Sequence, residues 1–143
     1  MNYTIETTIN KPIGQVVKIY NQVELYPEWM PGIVSHSITR GNKRETGTAS
    51  VYTLKMGGKE YDMNETVIKN EGEEIVASYE ANGVVNTQKT VFKEISEGKT
   101  LYQVNENFAL KGFMKIIGFL MPGTFKSQTK KFVNAFKEYV EQP

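Results

Sequence analysis

The stretch "KPIGQVVKIYNQVELYPEWMPGI", residues 11–33, changes its hydrophobic period part-way and then loses it. Ile13, Val16, Val17 and Tyr20 recur at the spacing of one helix face, with Asn10 placed to cap and Pro12 near the start. Beyond Tyr20, the breakers Pro27, Pro31 and Gly32 leave "VELYPEWMPG" at best one further helical turn before a loop. Two short helices in tandem bury little by themselves, so the flanking segments decide what they pack against.

Upstream, "YTIETTI" alternates Tyr3, Ile5, Thr7 and Ile9 against Thr4, Glu6 and Thr8, the period of a half-buried strand. Downstream, from Ile33 to Leu110, alternating segments are separated by "GNKRETG", the Gly57–Gly58 pair, "NEGE", the Asn82–Gly83 pair and "SEGK". Gly-Gly and Asn-Gly suit two-residue hairpins, whose central residues need positive φ. Six antiparallel strands are expected, over 33–40, 46–56, 59–70, 73–81, 84–95 and 99–110, long enough for the sheet to curl. The chain closes with "TFKSQTKKFVNAFKEYVE", where Phe125, Thr129, Phe132, Phe136 and Tyr139 or Val140 form one helical stripe.

The segment before that helix, "GFMKIIGFLMPG" (112–123), is the most apolar in the chain. A membrane span needs about 20 apolar residues, whereas this run is shorter and contains Lys115. Pro122 predicts a kink or break, and the run reads as the upstream part of the helix, a gate hinged at Pro122–Gly123.

A chain of 143 residues fits one domain, which at this size buries roughly 70% of its unfolded surface. Its net charge of +1 gives no general attraction to nucleic acid. The charge is uneven: beyond residue 110 six lysines face Glu138 and Glu141. The lysine face reads as solvated surface, with a transient contact to an anionic membrane as the alternative. With no cysteine there are no disulfides, thiolate nucleophiles or zinc-thiolate sites. The N-terminal segment lacks the pattern of a signal peptide, so a cytoplasmic protein is expected, as monomer or weak dimer.

One strand, a short helix pair, six antiparallel strands and a long terminal helix give an α+β fold. A helix is about 10 Å across and cannot by itself fill the concave side of seven curved strands, so a hollow is expected. This order of parts, with a proline opening the first helix and the aromatic-Pro-x-Trp-x-Pro segment around Trp29, resembles the START-like helix-grip superfamily (SRPBCC), especially its bacterial polyketide cyclase/dehydrase-like branch. The resemblance implies a seven-stranded sheet wrapped around the C-terminal helix and a deep apolar cavity for lipids, sterols, polyketides or similar molecules. It implies cyclisation or dehydration in some members, and carries no catalytic motif onto this chain.

Alternation suggests which side chains face that hollow. Tyr52, Leu54 and Met56 share one face, as do Tyr61, Met63, Glu65 and Val67, and Tyr102, Val104, Glu106, Phe108 and Leu110, with Tyr79 added from the strand between. An inward Glu65 or Glu106 would have a raised pKa and could serve as acid or donor; the alternative is a bulge or strand end that turns each to solvent. His36, the single histidine, sits with Val34 and Ile38, either as a cavity imidazole or as a hydrogen-bonded core or edge residue. Trp29 either caps the cavity mouth or anchors its loop, and Phe125 and Phe132 are the ligand contacts expected from the helix. The single histidine without an HExxH pair does not point to a metal, and without a P-loop, GxGxxG or GxSxG no cofactor is expected.

The reading that follows is a carrier or sensor of a hydrophobic small molecule. A cyclase or dehydratase using Glu65, Glu106 or His36 is the alternative, and a protein-binding chaperone co-factor module is a third.

Overall fold

The computed structural model describes residues 1–112 and 122–143. The gate expected over Phe113–Met121 and the kink expected before Pro122 fall outside the described residues.

The elements follow in the order β1 (Asn2–Ile9), α1 (Ile13–Tyr20), a 3-10 turn (Val23–Leu25), α2 (Tyr26–Trp29), β2 (Ile33–Arg40), β3 (Ala49–Met56), β4 (Lys59–Asn70), β5 (Glu74–Ala81), β6 (Val84–Ser96), β7 (Lys99–Leu110) and α3 (Pro122–Glu141). The strands form one antiparallel sheet in the order β1-β7-β6-β5-β4-β3-β2. The meander is the outcome of its turns. Gly57 and Gly58 (φ 59° and 81°) and Asn82 and Gly83 (φ 48° and 80°) adopt the left-handed pair that a two-residue hairpin requires.

Bulges at Ile33/Ser35, Ile38/Arg40, Val67/Lys69 and Glu94/Ser96 add bend and twist to the long strands. The first of these corrects a facing assignment. His36 pairs with Tyr52 and Ile38 with Ser50, on the concave face, but the extra residue rotates Val34 outward, where it is 52% exposed. Ile33, paired with Leu54, takes the inward place expected of Val34. A second correction concerns α1: Pro12, with φ −61° and ψ 145°, occupies the cap and no side chain caps the helix, so Asn10 has no capping role.

The first apolar cluster joins Val16 and Tyr20 of α1, Ile5 and Ile9 of β1, Ile75, Phe92, Tyr102 and Val104 of the sheet, and Val133, Phe136 and Val140 of α3. The C-terminal half of α3 therefore rests directly on the sheet, and that half of the concave side is packed. Of the expected stripe, Thr129, Phe136 and Val140 are buried, Val133 joins them, and Tyr139 reaches the surface to donate to Glu28 at 3.2 Å. Tyr3 Oη and Thr129 Oγ1, 2.7 Å apart, and Lys137 Nζ donating to Thr8 O at 2.6 Å tie α3 along β1.

Candidate functional site

Toward the other end of the concave face the inward side chains pass from buried to half-buried. Along β4, Val67 and Glu65 are buried and Met63 and Tyr61 are half-buried; along β7, Val104 and Glu106 are buried and Phe108 and Leu110 are half-buried. A second cluster occupies this end: Tyr26, Tyr52 and Leu54, with Val23, Trp29, Met30, Ile33, Met63, Tyr79 and Phe132 against them. Phe125 packs on Phe108 with ring centres 4.9 Å apart. The expected aromatic and aliphatic site residues thus divide between a Tyr52–Leu54–Met63–Tyr79–Phe132 group and a Phe108–Phe125 pair.

Both carboxylates turn inward. Glu65 is 1% and Glu106 3% exposed, so neither is carried to solvent by a bulge. Glu65 Oε2 accepts from Arg44 Nη2 at 3.1 Å, Tyr52 Oη at 3.1 Å and Tyr79 Oη at 2.7 Å. Burial holds the phenols of Tyr52 and Tyr79 well above the usual range, so both remain donors. Arg44, 5% exposed, comes from the β2–β3 turn and lies over the Tyr20 ring, its guanidinium carbon 5.1 Å from the ring centre. Sequence reasoning missed Arg44 because its segment, "GNKRETG", reads as a polar turn. The folded turn is held by Thr48 Oγ1 donating to Asn42 O and by Asn70 Nδ2 donating to Arg44 O, which direct the arginine inward.

The sheet register extends this arrangement into a polar row. Glu65 pairs with Tyr79, Tyr79 with Asn86, and Asn86 with Phe108; in the adjacent row Gln88 pairs with Glu106. Gln88 Nε2 donates to Glu106 Oε1 at 2.6 Å. Burial pushes the Glu106 carboxyl up, and the side-chain amides of Gln88 and Asn86 offset part of that rise.

Seven buried polar atoms have no hydrogen-bond partner among the described residues: Tyr26 Oη, Trp29 Nε1, His36 Nε2, Arg44 Nε, Glu65 Oε1, Asn86 Oδ1 and Glu106 Oε2. Six belong to residues along the middle and half-buried end of the concave face, and Arg44 reaches toward them from the β2–β3 turn at the packed end. Folded proteins leave few buried polar atoms unpaired, because each costs about 1–3 kcal/mol. Their concentration here is hydrogen-bonding capacity that a buried water or a guest would satisfy. His36 lies against Tyr52 and Tyr26, with ring centres 4.6 and 5.2 Å away, and burial lowers its pKa, keeping the ring neutral. Trp29 packs on Phe136, Tyr26 and Tyr20, bridging the two clusters, so it anchors its loop to the core.

Two open depressions are lined chiefly by other surfaces. One lies at the β2–β3 turn beside Asn21, Arg44 and Asn70, and the other among residues of β1, β6 and β7 that include Tyr3 and Glu106. Among the described residues no helix is long and apolar enough to cross a membrane, and no group of His, Cys, Asp and Glu is placed to hold a metal ion.

A seven-stranded antiparallel sheet gripping a long C-terminal helix, with two short helices after the first strand, defines the helix-grip fold. The chain belongs to the polyketide cyclase / dehydrase and lipid transport family, which it matches over residues 2–141, within the START-like superfamily. Among solved structures, the Zhui aromatase/cyclase from Streptomyces sp. R1128 aligns with a TM-score of 0.82 at 11% identity, over 99% of this chain and 93% of that one. A START superfamily protein from Mycobacterium smegmatis aligns with a TM-score of 0.74 at 15% identity, over 96% and 98%. The protein Ara h 8.0201 aligns with a TM-score of 0.75 at 18% identity, over 98% and 97%. At these identities the likeness is one of fold. Comparison with curated protein sequences yields no significant match.

Proposed function

We propose that this protein binds a hydrophobic small molecule between the half-buried end of strands β3–β7 and the N-terminal half of α3. The observation that carries this reading is the set of unpartnered buried polar atoms amid aromatic side chains: an apolar wall supplies area, and a few polar groups fix orientation. A fully packed core would leave no reason to bury Glu65 Oε1 and Glu106 Oε2 without partners. Family membership and the hollow expected from the fold support the same reading.

The test is titration with N-phenyl-1-naphthylamine, a neutral lipophilic fluorophore. Micromolar or tighter binding is expected, abolished by Met63→Glu or Phe132→Glu, both at half-buried positions that tolerate change better than the core. Equal binding by wild type and both variants would defeat the assignment.

A second reading, a cyclase or dehydratase acting on a polyketide-like guest, is favoured by Glu106. A buried carboxyl with a raised pKa and a spare oxygen can give a proton to a guest carbonyl. This reading requires Glu106→Gln to abolish turnover of a β-polyketone while leaving its binding intact.

A further inference from the structure

The unpartnered atoms divide by chemistry. Glu65 Oε1 and Asn86 Oδ1, in one register row, accept only, and Glu106 Oε2, in the adjacent row on β7, accepts whenever its carboxylate is ionised. Most nearby side-chain donors are already committed, with Arg44 Nε, on the guanidinium beside Glu65, the one left unpartnered. Arg44 Nη2, Tyr52 Oη and Tyr79 Oη all converge on Glu65 Oε2, and Gln88 Nε2 is held by Glu106 Oε1. On the α2–β2 side the unpartnered atoms include Trp29 Nε1, a donor only, and Tyr26 Oη and His36 Nε2, each able to donate or accept. The Arg44 charge is matched by Glu65, and no cation is paired with Glu106 among the described residues, so a guest anion finds no unmatched positive partner along these rows.

A carboxylate head offers acceptors alone and would face the oxygens of Glu65, Asn86 and Glu106. An ether likewise only accepts. A hydroxyl both donates to these acceptors and accepts from the α2 side. We infer that the guest is a neutral apolar molecule bearing more than one hydroxyl, with its O–H groups donating to the acceptors of Glu65, Asn86 and Glu106 in two adjacent rows, rather than an acid-headed lipid. This rests on the binding reading above and adds a ligand class to it.

The experiment is calorimetric titration of the intact protein at neutral pH with three probes of similar apolar size: 5-pentylresorcinol, 1,3-dimethoxy-5-pentylbenzene and decanoate. The diol is expected to bind about fivefold or more tighter than either of the others, the scale of one or two net hydrogen bonds. In Asn86→Leu, diol affinity is expected to fall about fivefold while diether affinity holds, and the retained diether binding shows that the variant is folded. Diether or decanoate binding wild type as tightly as the diol overturns the inference and leaves the binding reading intact. Diol binding that ignores Asn86→Leu overturns it as well. No binding of any probe overturns both.

Discussion

At the scale of single residues, Glu65 and Glu106 use burial in opposite ways. Glu65 is compensated: Arg44 and two phenols crowd one of its oxygens. Removing one partner of such a buried pair leaves a charge without compensation, so Arg44→Met is expected to lower stability by about 3–5 kcal/mol in urea unfolding. Arg44→Met combined with Glu65→Leu should recover much of that loss; a double variant no more stable than the single one would show that the pair is not energetically linked. Glu106 has no such counter-charge, and its pKa in the fold lies above the ordinary 4.5. The folded state therefore binds more protons than the unfolded state, and stability falls as pH rises from about 4.5 through the raised value. Glu106→Gln cannot lose a proton, so its stability relative to wild type should increase across that window, and parallel pH profiles would refute the raised pKa. Both carboxylates were legible in the sequence because a strand alternates faces, whereas Arg44 was not, since nothing in a turn's composition reveals which way its longest side chain points.

At the scale of elements, α3 has two unlike halves. Phe136, with no exposure, touches Tyr20, Trp29, Phe92 and Tyr102, and Phe136→Ala is expected to cost about 3–5 kcal/mol. Phe132, half-buried one turn earlier, should cost clearly less when cut to Ala and should weaken guest binding more; equal stability losses would mean that α3 has no site-facing half. The link from α2 to β2 depends on Gly32, whose carbonyl accepts from Lys55 N at 2.7 Å with φ at 76°. A Cβ there would meet Lys55 O at 2.6 Å, so Gly32→Ala should destabilise by more than about 1 kcal/mol in the same urea assay. Hairpin types and most strand extents were legible from period and turn chemistry, but the strand expected from residue 46 starts at Ala49, because 46–48 belong to the turn that carries Arg44. The Ile33/Ser35 bulge was not, because an inserted residue leaves the apolar pattern looking regular while reversing every side chain before it.

At the scale of the whole molecule, the order of elements set the fold, and the expected hollow needs one refinement: α1 and the C-terminal half of α3 fill one end of the concave side. The guest proposed above would occupy the end rimmed by Tyr61, Met63, Phe108, Leu110 and Phe125, where burial falls off. The location of a guest is therefore the central claim. The direct measurement is a 13C methyl spectrum recorded with and without N-phenyl-1-naphthylamine. The account predicts shifts at Met63, Leu54 and Leu110 and none at Ile9 and Val140 in the packed end. Shifts confined to Ile68 and Ile95 on the exposed outer surface, or unchanged spectra at saturating fluorophore, would contradict it.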